Sequence, residues 1–230
     1  MTAAGGTISL LVGTVLLRLT VTGTYERYVR VGMGPLLIAA ALVIILVGLV
    51  TLVQAIRKAP SVDAHDHHEH GEGIGAGWLL LAPIAALLLV APPTLGSYGV
   101  DRAASVRVRE GAPVFDPIRP TSGPVPMTLI EYGQRAFDHD GASFNGATVQ
   151  LTGFVVDAEA GGFRLARYQI ACCAADAIPA VVRVVGTRGD TPERDQWVTV
   201  TGSFRPGEDE PPELTATSLV EIPAPRDPYE

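Results

Sequence analysis

The chain has 230 residues, of which 47% are hydrophobic and 18% charged, and its net charge is −7 at pH 7. An acidic chain disfavours nucleic-acid binding, because contacts to phosphates require a basic face. No HExxH, GxSxG or Walker-type loop occurs, so the sequence gives no support to a hydrolase or a nucleotidase.

Three apolar segments predict membrane-spanning helices, at about residues 7–24, 34–56 and 77–93. Roughly 20 apolar residues, at about 1.5 Å of rise each, cross a hydrocarbon core about 30 Å thick. The second segment gives the clearest signal, because no charged residue occurs from Val31 to Ile56. Pro83 is expected to kink the third helix without preventing it.

The first segment contains Arg18, and its alternative is a secretory signal peptide. A signal peptide needs a basic start and a small-residue cleavage site, whereas no basic residue precedes Arg18 and residues 21–25 offer no good site. We therefore expect a retained span, with Arg18 reaching the headgroups near its end. A second interpretation stays open, in which Arg18 faces the helix bundle and pairs with a partner or a transported anion.

A His-rich loop, residues 60–75, joins the second and third spans. It holds four of the five histidines of the chain, namely His65, His67, His68 and His70. Neutral imidazole and carboxylate groups bind Zn, Ni, Cu or Co, and a flexible tract can gather several of them around one ion. The loop therefore predicts a site for a divalent transition metal. A solvated spacer between two spans is an equally favoured interpretation.

Charged residues are concentrated in the second half of the chain. After a membrane domain at 1–100, five prolines between residues 113 and 126 favour an extended linker over 101–125. The remaining residues, 126–230, are enough for one small soluble domain with its own core.

This soluble domain is predicted to be mostly β, with one helix in front. Thr128 and Glu131 match a capping box, which places a helix from there to about Phe137. Five alternating segments follow, at 147–157, 163–171, 180–186, 196–204 and 214–222. Five such strands can close into a small barrel, of which the OB-fold is the commonest. An ordinary OB-fold places its helix between strands three and four, whereas this helix precedes strand one.

The second predicted strand runs into an unusual motif, Cys172-Cys173 followed by Asp176. The alternation of the strand breaks ahead of the motif, so we expect a bulge around residues 166–167. Adjacent side chains of a regular strand point to opposite faces. Both sulfurs can therefore bind one ion only if the strand has ended and a turn follows.

Three interpretations of the cysteine pair stay open. The cysteines pack as small hydrophobic residues. Alternatively they form a metal or ligand site with Asp176, to which His139 is a further candidate contributor. In the third interpretation they carry redox chemistry, which includes a strained disulfide between neighbours.

The order of these features resembles the YcgQ-like bacterial membrane proteins. The resemblance is carried above all by a Cys-Cys-x-Ala-Asp-Ala element at 172–177 and a Trp-Val-x-Val-x-Gly strand at 197–202. It implies a permease subunit that works with a YcgR-like multispan permease and has no assigned catalytic residues. The hallmark positions that it implies are Arg167, Cys172, Cys173, Asp176 and Trp197. On that basis Arg167 joins the candidate ligand-binding residues of the barrel, and Gly153 and Gly202 are expected to be structural.

The orientation in the membrane rests on the resemblance alone. Arg27 and Arg30 on one side of the second span balance Arg57 and Lys58 on the other. The resemblance implies a multi-pass protein of the cell membrane with its barrel outside the cytoplasm. We expect a non-enzymatic accessory subunit, whose barrel captures or hands over a Zn-like ion or a small ligand. The alternatives are a membrane-anchored thiol-redox or metal-dependent enzyme and a module that binds another protein.

Overall fold

The computed structural model describes residues 3–57, 94–102, 115–119, 122–159, 161–187, 192–207 and 211–230. The chain forms two compact units. One comprises Met1–Glu26 and Val31–Pro93, and the other comprises Arg27–Arg30 and Thr94–Glu230. The predicted third span and the His-rich loop lie outside the described residues.

The first unit contains two helices, α1 (Ala3–Val21) and α2 (Gly34–Arg57). Each is long and apolar enough to cross a membrane, judged by length and composition. These helices correspond to the first two predicted spans. The structure does not show a third span among the described residues. Arg18 is exposed on α1 among the residues that the structure describes.

Small residues let α1 and α2 pack closely. A Cβ atom added to Gly48 would lie 2.9 Å from the backbone nitrogen of Leu10, and one added to Gly13 would lie 2.7 Å from Cγ1 of Ile45. Close approach at small residues is typical of helix pairs in membranes, where packing drives the association of helices.

The second unit is mostly β. Its strands are β1 (Val125–Pro126), β2 (Thr148–Glu159), β3 (Gly162–Gln169), β4 (Ile178–Val185), β5 (Trp197–Arg205) and β6 (Glu213–Ile222). Strands β2 to β6 close a ring in the order β2-β3-β4-β6-β5-β2. Strands β4 and β6 are parallel, and the other neighbours in the ring are antiparallel. The prediction of an OB-like five-stranded barrel is confirmed.

Helix α3 (Leu129–Phe137) precedes the ring, as predicted. Its apolar face, formed by Leu129, Tyr132 and Ala136, belongs to the same core cluster as the inward side chains of the strands. The hydroxyl of Tyr132 donates to the carbonyl oxygen of Glu213 at 2.6 Å, which ties the helix to the start of β6.

Strand β3 is buried on both faces, which explains its broken alternation. Phe163 and Leu165 contribute to the main core, whereas Ala166 and Tyr168 contribute to a second cluster. That second cluster also contains Val100, Trp197 and Tyr229. An apolar side chain is therefore favoured at both parities of the strand.

The predicted bulge at residues 166–167 is wrong. Strand β3 pairs with β4 in continuous register from Gly162 to Gln169. The register shift lies instead in the neighbouring strand β2, between Val155 and Asp157. Because β3 is buried on both faces, its apolar residues change from odd to even positions along the sequence. A bulge would produce the same change in the pattern.

Part of the predicted linker, residues 115–119, is hydrogen-bonded to the chain that follows α3. The N–H of Phe115 donates to Oδ2 of Asp138 at 2.9 Å, and the N–H of Ile118 donates to the carbonyl oxygen of Ser143 at 2.8 Å. The side chain of Ile118 also packs against the main core. Residues 115–119 therefore belong to the barrel unit, because acceptors on the chain after α3 fix them there.

Candidate functional site

The turn between β3 and β4 holds the cysteine motif. Because β3 ends at Gln169, Cys172 and Cys173 lie on a turn and not on a regular strand. Their Sγ atoms are 3.7 Å apart. Both sulfurs and a carboxylate oxygen of Asp176 lie within 4.8 Å of one another. The turn thus brings together three groups that can ligate a metal ion.

Asp176 organises this turn through three consecutive backbone N–H groups. Ala171 donates to Oδ1 at 3.0 Å, while Cys172 and Cys173 donate to Oδ2 at 2.8 and 3.4 Å. The hydrogen bond from the Cys172 thiol, followed by these backbone bonds, lowers the pKa of Asp176 to about 2. The carboxylate is therefore ionised at neutral pH and holds the two cysteines side by side.

Both cysteines are free thiols outside the core. Cys172 is exposed and Cys173 is half-buried, so the interpretation that they pack as core residues is wrong. The hydrogen bond to the Asp176 carboxylate, followed by the contact with Cys173, raises the pKa of Cys172 to about 11. A thiol with a raised pKa is a weak nucleophile at neutral pH, yet it releases its proton when a metal ion binds.

A second chain segment, residues 27–30, pairs with the backbone of the same turn. Val29 forms an antiparallel bridge with Cys173. The N–H of Arg30 donates to the carbonyl oxygen of Cys172 at 3.1 Å, and the N–H of Ala174 donates to that of Tyr28 at 2.7 Å. Sequence analysis missed this pairing, because nothing local to either segment signals it.

Two other candidate residues make their contacts elsewhere. The guanidinium of Arg167 donates to the carbonyl oxygens of Asp227 and Tyr229 at 2.9 and 3.1 Å, and it lies 5.7 Å from the ring of Trp197. These bonds fix residues 227–229 against β3. The Nδ1 atom of His139 lies 2.6 Å from Oδ1 of Asp138, so the imidazole ring is held beside α3.

The two expected structural glycines lie where strands approach closely. A Cβ atom at Gly153 would come within 2.5 Å of the carbonyl oxygen of Ala166, and one at Gly202 within 2.3 Å of that of Thr215. The predicted histidine ligands His65, His67, His68 and His70 lie outside the described residues. A metal site on that loop stays a prediction.

The fold and the site define a class of protein with apolar N-terminal helices and an OB-like barrel that presents a thiol and carboxylate cluster. The sequence matches the DUF1980 N-terminal domain over residues 6–103 and the DUF1980 C-terminal domain over residues 134–230. Together these matches span well over half of the chain, so the protein belongs to the DUF1980 family.

Comparison with curated proteins gave no match. Among solved structures, the telomere capping protein Ten1 from Saccharomyces pombe is similar at 12% identity, over 43% of this chain and 81% of that chain, with a TM-score of 0.29. A chain of the S. pombe Stn1-Ten1 complex is similar at 10% identity, over 44% and 79% of the two chains, with a TM-score of 0.30. Similarity this distant carries no argument about function.

Proposed function

We propose that this protein is a membrane-anchored, non-enzymatic subunit of a transport system, whose barrel binds a divalent transition metal at Cys172, Cys173 and Asp176. The observation that carries the proposal is the convergence of three donor groups within 4.8 Å. Zn²⁺ binds thiolate sulfur at about 2.3 Å in tetrahedral geometry, so two sulfurs on one ion lie about 3.8 Å apart. The distance of 3.7 Å between the two Sγ atoms agrees with that value.

Among the residues that the structure describes, the cluster supplies three donors, and this number favours a metal that is captured and handed over. Structural zinc sites have four protein ligands, whereas a site with three keeps a position open for an exchangeable ligand. Cys172 is exposed, so an ion and an incoming ligand can reach the sulfur directly. A site of this kind suits metal transfer better than permanent structural binding.

Thiol-redox catalysis is the enzymatic alternative. It needs a cysteine whose pKa is lowered, because the thiolate is the attacking species. The neighbouring carboxylate instead raises the pKa of the Cys172 thiol to about 11. This electrostatic setting disfavours nucleophilic chemistry at Cys172.

The proposed setting is the lipid bilayer, with α1 and α2 as apolar anchors. Three further proposals rest on the resemblance: a YcgR-like multispan permease is the partner, the barrel lies outside the cytoplasm, and a third span is present. The His-rich loop, with His65, His67, His68 and His70, would supply a second metal-binding tract in the same protein.

The test uses the full chain in detergent and reducing buffer, with the four loop histidines changed to Ala so that the barrel site is measured alone. Co²⁺ titration reports thiolate ligation through its charge-transfer absorbance, and competition with a chelating dye gives the Zn²⁺ affinity. Loss of an outer-shell partner alone typically costs about 10–100-fold in affinity. We therefore expect Cys172→Ser and Cys173→Ser each to weaken binding by at least about 100-fold.

Ala175→Ser is the matched control, because Ala175 is an exposed residue of the same turn that contributes no donor atom to the cluster. It should bind Zn²⁺ as tightly as the parent protein. Equal affinity in the parent protein and both cysteine variants, or no thiolate band with Co²⁺, would contradict the proposal.

A further inference from the structure

The backbones of the two cysteines hold the segment Tyr28–Arg30. The carbonyl oxygen of Cys172 accepts the N–H of Arg30, and Cys173 is the bridge partner of Val29. In addition, the hydroxyl of Tyr229 donates to the carbonyl oxygen of Arg27. The two residues that supply the sulfurs with their side chains therefore supply the docking edge for this segment with their backbones.

We propose that metal binding at the cysteine turn and docking of Tyr28–Arg30 are coupled, so that the segment reports whether the site is occupied. This inference rests on the proposed metal site. An ion bound to both sulfurs and to Asp176 fixes the backbone of the turn, and an edge that is already ordered binds the segment at a smaller entropic cost.

The segment is suited to respond because it is weakly buried. None of residues 27–30 is fully buried, and Arg27 and Arg30 are exposed. Segments with little burial and solvent-accessible backbone bonds open locally at low free energy. Ordering of the turn can therefore change the docked fraction of Tyr28–Arg30 while the barrel itself stays folded.

The position of the segment in the chain gives the coupling a consequence. Residues 27–30 follow α1 and precede α2 in the sequence. The state of the metal site is thereby passed to a stretch of chain that lies between the two apolar helices in the sequence. Linkage is reciprocal: the factor by which Zn²⁺ strengthens docking equals the factor by which docking strengthens Zn²⁺ binding, so a variant that loses docking should lose metal affinity by up to that factor.

Reciprocity allows a matched pair of variants at one position. Arg30→Pro removes the N–H that donates to Cys172, whereas Arg30→Ala keeps it. In the full chain with the loop histidines replaced, we expect Arg30→Pro to weaken Zn²⁺ binding by about fivefold or more relative to Arg30→Ala, which is the lower end of typical coupling. Zn²⁺ should also slow amide exchange in peptides that contain residues 28–30, and Cys172→Ser should abolish that slowing.

Tyr229→Phe provides a second variant, because it removes the hydroxyl bond to Arg27 and keeps the ring. It should speed amide exchange at residues 27–30 and weaken Zn²⁺ binding, while exchange in β2–β6 stays at the parent level. Two results together would overturn the coupling and leave the metal site intact. Amide exchange at residues 27–30 would be unchanged on adding Zn²⁺, and Arg30→Pro and Arg30→Ala would bind Zn²⁺ with equal affinity. Failure of the parent protein to bind Zn²⁺ overturns the metal site and the coupling together.

Discussion

The carboxylate of Glu230 caps helix α3 by accepting the backbone N–H of Leu129, at 2.9 Å from Oε1. Its second oxygen, Oε2, lies 3.3 Å from the nitrogen of Ile130. A carboxylate at this position satisfies N–H groups that have no partner within the helix. The same residue is half-buried, and this partial loss of solvent raises the pKa of Glu230 above its ordinary value of 4.5.

This burial predicts a specific pH dependence of stability. Because the folded pKa is raised, the folded state keeps the proton over a pH range in which the unfolded chain has lost it. The free energy of unfolding therefore falls as pH rises from about 4.5 through the folded pKa, by about 1.4 kcal/mol for each pH unit between the two pKa values. Glu230→Gln cannot ionise, so this part of the pH dependence should disappear.

Thermal unfolding of both proteins between pH 4 and 7, in the same detergent and followed by tryptophan fluorescence, measures the difference. The wild-type protein should lose stability relative to Glu230→Gln as pH rises across the window. Parallel pH profiles would show that the Glu230 carboxyl is not protonated preferentially in the folded state.

The sequence predicted α3 but only part of its cap. The hydroxyl of Thr128 accepts the N–H of Glu131 at 3.1 Å, as the capping box requires. The Glu131 carboxylate instead pairs with Arg135 at 2.8 Å, and Glu230 accepts the N–H groups of Leu129 and Ile130. Local spacing reveals a helix start, whereas a partner about a hundred residues away in the chain leaves no local signal.

In the strands and the site as well, local features were predictable from the sequence and long-range contacts were not. Alternation located all five ring strands to within a few residues, because one face of each strand lines the core. The turn at Cys172 and Cys173 was one of two geometries that the sequence allowed. Pairing of this turn with residues 27–30 and burial of the outer face of β3 depend on long-range contacts, which the sequence pattern did not reveal.

The close approach at Gly202 predicts a large effect from a single methyl group. A Cβ atom there would lie 2.3 Å from the carbonyl oxygen of Thr215, beside the register shift between Thr201 and Gly202. Gly202→Ala should destabilise the barrel by about 1–3 kcal/mol, because backbone must move to admit the methyl group.

Gly133→Ala is the matched control. Gly133 lies within α3, and an added Cβ atom would meet nothing within 4 Å. The same change should there stabilise the protein by about 0.5–1 kcal/mol, since Ala is the better helix former. Unfolding midpoints of the two variants should lie on opposite sides of the wild-type value, and a neutral Gly202→Ala would contradict the strand geometry.

The His-rich loop predicts metal binding with a different pH dependence. Four histidines, His65, His67, His68 and His70, lie within six residues. Each must lose its proton to bind a metal, so the affinity of the loop should fall as pH drops through about 6.5. Calorimetry in a background of Cys172→Ser and Cys173→Ser isolates this contribution. Equal heats with and without the four histidines would identify the loop as a spacer.

Asp176 is predicted to have two separable roles, as a metal ligand and as the residue that holds the turn. Its pKa is lowered to about 2 from an ordinary value of 3.8. A lowered folded pKa means that the stabilisation is fully present above about pH 4 and is lost as pH falls towards 2. Asp176→Asn should therefore be less stable than the wild type at pH 7, and the difference should shrink as the pH approaches 2.

Cys172→Ser separates the two roles, because the serine hydroxyl can still donate to the Asp176 carboxylate while the sulfur ligand is lost. This variant should keep the acid dependence of the wild type and lose Zn²⁺ binding. Asp176→Asn should lose both, since the amide cannot ionise and its NH₂ group replaces one of the two oxygens that accept the backbone N–H groups of Ala171, Cys172 and Cys173. Melting curves between pH 2 and 7, with and without Zn²⁺, give both quantities from one experiment. Wild-type acid dependence in Asp176→Asn would show that this carboxylate does not hold the turn.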